Sequence, residues 1–203
     1  MKMKLNPKAY VAEFFGTFIL TLIVIVSINV ESVLPTPVLA AITLGLLVYL
    51  LGPICGTNIN PAVTIGLFVL KKLDLGNTFV YLFVQLLGSL SALLVSQLFL
   101  DSKVVSPVAI LSWGVFFAEF LGTMVFTYGI ASVVLGRVRQ ELGGVVIGCS
   151  LLIGITIASI GSNGILNPTV AFGIGSFNVS YLLGPIAGGI VGMVLSKIMN
   201  NEK

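Results

Sequence analysis

Long uncharged stretches separated by brief charged breaks set the layout of this chain: Phe14 to Val30, Ser32 to Leu70, Leu75 to Leu100, a stretch ending at Ala118, Phe120 to Gly136, and Leu142 to Ser196. A helix needs about 20 residues to cross the hydrocarbon core of a bilayer. The 17 residues of the first stretch suit one span, while the runs of 39 and 55 residues hold more than a whole number of spans. Inside each longer run sits an Asn-Pro pair, Asn60-Pro61 and Asn167-Pro168. Proline at the first helical position lacks only an N–H that the first turn leaves unpaired anyway, so each pair predicts a helix start. Ten residues, Pro61 to Leu70, then precede Lys71-Lys72. Ten helical residues rise about 15 Å, half of a core about 30 Å thick. The 39-residue run therefore divides into a full helix and a half helix, and the 55-residue run into two full helices around another half. The predicted fold class is an all-α membrane protein with six transmembrane helices plus two re-entrant half helices.

The second half of the chain repeats the first. Ala12-Glu13-Phe14-Phe15-Gly16-Thr17 recurs as Ala118-Glu119-Phe120-Leu121-Gly122-Thr123 at an offset of 106, and Asn60-Pro61 recurs as Asn167-Pro168 at an offset of 107. One transmembrane domain over residues 1–203 is expected, with repeat 1 near 9–100 and repeat 2 near 108–203. Three spans per repeat is an odd number, so the repeats enter the membrane from opposite sides, an inverted 3+3 arrangement. The half helices then point their N-termini at each other near the midplane.

Composition agrees: 57% of the residues are hydrophobic and 8% charged, with mean hydropathy +1.15, a membrane rather than a soluble balance. With a cytoplasmic N-terminus, Lys2, Lys4, Lys8, Lys71, Lys72, Arg137, Arg139, Lys197 and Lys203 fall inside and Lys103 alone outside, as the positive-inside rule requires. The net charge of +3 thus reports topology, and with no basic stripe nucleic acid is not an expected partner. Met1-Lys2-Met3-Lys4 before an apolar run resembles a signal peptide, but no small-x-small cleavage site follows, so a retained first span is expected. Cys55 and Cys149 lie in apolar runs and read as small hydrophobes. No histidine, paired carboxylates, phosphate loop or metal-ligand cluster is present, so neither an enzyme nor a metal or other cofactor is expected.

The candidate chemistry belongs to the two motifs Asn60-Pro61-Ala62 and Asn167-Pro168-Thr169. Their Asn side chains cap the half helices and present N–H donors at the midplane, where each helix N-terminus carries roughly +0.5 of a charge. The preceding segments, Gly56-Thr57-Asn58-Ile59 and Asn163-Gly164-Ile165-Leu166, are irregular backbone at membrane depth, tolerable where they line a wet cavity. Their carbonyls are expected to form a ladder of acceptors. Glu13 and Glu119 stand inside apolar spans, where a lone carboxylate costs roughly 2.5 kcal/mol or more. Their duplication favours buried braces that accept hydrogen bonds from the re-entrant backbone over a proton relay.

These residues resemble the major intrinsic protein (aquaporin) family over essentially the whole chain, with Gln85-Leu86-Leu87-Gly88 and Gly184-Pro185 adding to the likeness. The resemblance implies two re-entrant loops, a pore through each protomer and a homotetramer. It also implies a narrow filter, carried over by position to Ala40, Ile155, Gly164 and Val170. Family filters for water place an aromatic residue, a histidine, a small residue and an arginine there, and the second motif normally reads Asn-Pro-Ala-Arg. Here Thr169 and Val170 follow Asn167-Pro168, and all four filter positions are small or apolar.

The expected function is a passive channel in the cell membrane for water and small neutral solutes, disfavouring protons and ions. The partners are those solutes and the lipid bilayer, with both termini cytoplasmic. A glycerol-type facilitator with a wide apolar filter is the alternative. A coupled transporter or a poorly conducting structural protein ranks lower, since few intramembrane ionisable groups are available for coupling.

Overall fold

A computed structural model describes residues 6–100, 107, 108 and 110–199. Lys2, Lys4, Lys103 and Lys203, counted in the charge expectation, lie outside the described residues. Among the described residues eight α-helices follow in order: α1 (Pro7–Asn29), α2 (Thr36–Cys55), α3 (Pro61–Val69), α4 (Leu75–Gln97), α5 (Trp113–Val134), α6 (Gly143–Ala158), α7 (Pro168–Gly173) and α8 (Val179–Met199). A single 3-10 turn, Gln140–Leu142, leads into α6. Six helices are long and apolar enough to cross a membrane, α6 counting with its lead-in turn. The other two are half helices of 9 and 6 residues, rising about 13 and 9 Å.

Local chemistry sets the boundaries. The Asn6 side chain accepts from the Ala9 N–H, Asp74 from Asn77 and Ser112 from Val115, each satisfying a donor that the first helical turn leaves open. The Asn6 cap starts α1 ahead of the uncharged stretch that begins at Phe14 and brings Lys8 and Glu13 into the helix. α2 ends where Gly56 turns left-handed at φ 83°. α3 ends one residue short of the expected Leu70, which caps it by donating its N–H to the Gly66 carbonyl.

Glycine decides how closely the spans approach. Gly184, Gly188 and Gly192, one turn apart on α8, face the carbonyls of Phe116, Phe120 and Met124, one turn apart on α5. A Cβ at Gly184 would lie 2.7 Å from the Phe116 oxygen, inside van der Waals contact. In both repeats the small residues thus let backbone meet backbone, the usual basis of helix association in lipid. Gly88 meets the Phe14 carbonyl between α4 and α1, and Gly154 meets that of Gly122 between α6 and α5. We expect Gly188→Val to lower the melting temperature in detergent, at a cost of about 3 kcal/mol from overpacking. Leu183→Val, at an exposed position on the same helix, should leave it nearly unchanged. Large side chains point outward along the spans, Phe79 and Phe83 each more than half exposed, which suits contact with acyl chains.

Candidate functional site

The two half helices meet through their capping residues. Asn60 holds an extended backbone and its Oδ1 accepts from the Ala62 N–H at 2.8 Å. Asn167 does the same for the Thr169 N–H at 3.1 Å and also accepts from the Thr169 hydroxyl at 2.8 Å. With each oxygen tied to its own helix, each amide nitrogen faces the other repeat. Asn60 Nδ2 donates to the Leu166 carbonyl at 2.9 Å, and Asn167 Nδ2 donates to the Ile59 carbonyl at 3.0 Å. An amide nitrogen carries two hydrogens. One is spent on this reciprocal clasp and the other remains for the cavity that both residues line.

The segments that deliver these residues are bent into conformations that side chains avoid. Thr57, Ile59 and Leu166 have φ of 54°, 39° and 56°, joined by Gly56 and Gly164 at 83° and 62°. Positive φ at a β-branched residue such as Ile59 is strained and persists only when its surroundings over-determine it. Buried carboxylates do so. Glu13 accepts the N–H groups of Asn58 and Ile59, both at 2.7 Å, and Glu119 accepts those of Ile165 at 3.0 Å and Leu166 at 2.7 Å. Each carboxylate also takes a third donor that the repeat did not reveal. For Glu13 it is Gln85 Nε2 at 2.9 Å, which also donates to the Thr64 hydroxyl; for Glu119 it is the Ser162 hydroxyl at 2.7 Å. Tyr81 donates its hydroxyl to the Cys55 carbonyl, and Tyr181 accepts the Asn163 N–H, so one tyrosine holds the base of each re-entrant segment.

Between the repeats lies a cavity of about 270 Å³. It extends from Thr36 and Pro107, on the face away from the termini, to Asn58, Asn60 and Asn167. Ala40, Ile155, Gly164 and Val170 all line it. So do Asn58, Ile59, Asn163 and Ile165 of the re-entrant segments, whereas Gly56, Thr57 and Leu166 are not among its walls. The Ile59 and Leu166 carbonyls each give one lone pair to the clasp, and the Thr57 hydroxyl turns away to the Leu47 carbonyl at 3.3 Å. Pro61, Ala62, Pro168 and Thr169 are buried in the half helices and shape the site rather than line it.

Sequence reasoning missed the apolar wall opposite the amides. Leu20, Val24 and Ile28 on α1, Leu44 on α2, Phe126 on α5 and Leu151 on α6 face the cavity. Spacing by fours was the available signal: 20, 24 and 28 on α1, 36, 40 and 44 on α2, and 151 and 155 on α6 with 159 at its cap each mark one stripe of a helix. No ionisable side chain among the described residues lines this cavity. Among the described residues no three His, Cys, Asp or Glu side chains gather in a way that would hold a metal.

Comparison with known proteins assigns this architecture. The family model described as major intrinsic protein matches residues 1–196. The chain belongs to the major intrinsic protein family. It is 26% identical to the glycerol uptake facilitator protein-like 6 of Lactiplantibacillus plantarum, the match covering 96% of this chain and 99% of that one. It is 32% identical to aquaporin NIP1-1 of Arabidopsis thaliana, over 90% of this chain and 70% of the relative. The solved aquaglyceroporin of Plasmodium falciparum superposes with a TM-score of 0.62 at 22% identity, covering 97% of this chain and 96% of that one, a likeness of fold. The family consists of multi-pass membrane channels for water, glycerol and other small solutes, and the six apolar helices and paired half helices found here are its fold.

Proposed function

We propose that this major intrinsic protein is a passive pore that carries water and small neutral solutes past Asn60 and Asn167 while holding back protons and ions, and that it is not an enzyme. The observation that carries this is the reciprocal clasp, which leaves one N–H of each Asn directed at a cavity between the repeats. A water molecule there accepts from both amides and must turn its own hydrogens outward. Its neighbours on the two sides are then polarised oppositely, which breaks the uniform orientation that proton hopping needs. Cations meet the same donors and the positive end of α3, with no carboxylate among the described wall residues to offset them.

The absence of arginine at position 170 favours entry of solutes larger than water. A wall of Ala40, Ile155, Gly164 and Val170 leaves the carbonyls of the second re-entrant segment as the polar surface opposite, suited to a molecule with hydroxyls on one side and carbon on the other. That supports the glycerol-type alternative, and the relatives of this chain include both aquaporins and a glycerol uptake facilitator-like protein. The described basic residues Lys8, Lys71, Lys72, Arg137, Arg139 and Lys197 cluster at the helix ends on the face of the termini, which supports cytoplasmic termini in a cell membrane. Family likeness supports a homotetramer with a pore in each protomer.

Stopped-flow light scattering on proteoliposomes tests this, with sucrose as osmolyte for water and glycerol for solute. Rates above empty vesicles for either, unchanged by an imposed ion gradient, are the expected result. Rates equal to empty vesicles for both, or transport that follows the ion gradient, would overturn it. Because the chain has no histidine and none of the described cavity residues is ionisable, both rates should stay flat between about pH 6 and pH 8, the range where a histidine-lined pore would respond.

A further inference from the structure

Asn58 is the one polar side chain of the first re-entrant segment, apart from the clasping Asn60, that faces the cavity. Its backbone N–H is fixed by Glu13 at 2.7 Å, so the residue is held in place without its side chain. The residue is 4% exposed, and that remaining surface opens on the cavity it lines. Neither amide atom of its side chain has a hydrogen-bond partner in the protein, yet neither is sealed from the cavity as the buried, unpartnered Gln85 Oε1 is. Its Oδ1 lies over Gly56, where an added Cβ would come within 3.6 Å, so the side chain extends the polar wall from Asn60 toward the face of the termini. Gly56 has no side chain to crowd it.

An amide that faces a lumen with no partner in the protein is left free to bind what passes through it, whereas one sealed away, like Gln85 Oε1, cannot. We infer that the Asn58 side chain is a solute-binding group of the lumen, specific for neutral molecules that carry a donor and an acceptor on one carbon, an amide such as urea being the best match. An amide offers one N–H and one C=O side by side and meets another amide in two parallel hydrogen bonds. Asn60 and Asn167 cannot do this, because their oxygens are tied to the half helices and only an N–H is left. Asn58 alone among the three presents both functions. Water, a single atom wide, passes on the two clasping amides and depends on Asn58 less.

The inference rests on the pore assignment above, and its test separates the two. Urea and water permeabilities are measured on the same proteoliposomes for the wild type, Asn58→Ala and Asn58→Ser, which differ from each other by one hydroxyl and keep the backbone bond to Glu13. The urea-to-water ratio should fall about 25-fold in Asn58→Ala, the loss expected for two net hydrogen bonds, and about fivefold in Asn58→Ser, whose hydroxyl keeps one of the two. If Asn58→Ala does not assemble, Asn58→Leu takes its place with the same expectation. An unchanged ratio in the apolar variant, an equal fall in the serine variant, or a fall in water matching that in urea would overturn the role of Asn58. Wild-type vesicles no faster than empty ones for water, glycerol and urea would instead overturn the pore assignment itself.

Discussion

Glu13→Leu is expected to abolish water and solute conduction and to release the segment Gly56 to Asn60 from its position. Leucine fills a similar volume, so the change leaves no room for a water to substitute. It orphans the N–H groups of Asn58 and Ile59 and one N–H of the Gln85 amide, all three of which now end on the carboxylate, while the other Gln85 N–H keeps Thr64. Each unsatisfied buried donor costs roughly 1–3 kcal/mol, so three together reach the scale of a protein's whole stability, about 5–15 kcal/mol. The strained φ of Ile59 then has nothing to hold it, and the carbonyl that Asn167 grips moves away. Hydrogen exchange should show rapid labelling of residues 57–60 in the variant and protection in the wild type. Protection equal to the wild type would mean that the brace is not what positions this segment. Glu13→Gln should fall between the two, since one amide oxygen can replace only part of a two-oxygen acceptor.

Val170→Arg is the second large effect, and it acts on selection rather than on the fold. Val170 is 3% exposed, sits three residues past Asn167 on α7, and shares the cavity wall with Ala40, Ile155 and Gly164. Its backbone N–H points at Asn167 Oδ1 at 3.4 Å whatever the side chain, so the substitution leaves the cap intact. An arginine there puts a fixed charge and five donors into about 270 Å³ of mostly apolar space and narrows the way through. We expect the glycerol-to-water ratio to fall by about an order of magnitude or more, each roughly 1.4 kcal/mol of added barrier being tenfold. An unchanged ratio would place the narrowest point elsewhere in the lumen.

Much of this architecture was legible because the chain states it twice. The offsets that align Glu13 with Glu119 and Asn60 with Asn167 located both half helices before any coordinates, and the short distance from Pro61 to Lys71-Lys72 gave the first its length. What remained hidden breaks the repeat or joins atoms across it. Gln85 and Ser162 serve equivalent carboxylates from unrelated places, one on α4 and one beside the second segment, so no internal alignment pairs them. The clasp links each Asn to the residue just before the other, a contact between positions more than a hundred residues apart.

The meeting of the two half helices around an open lumen is tested most directly by a high-resolution density map of the protein in a lipid nanodisc. Such a map should show the Asn60 amide against the Leu166 carbonyl and the Asn167 amide against the Ile59 carbonyl, with ordered water in the space beside both. A map in which either half helix lies along the headgroups or runs the full width of the bilayer, or in which side chains fill the space between the amides, would contradict it.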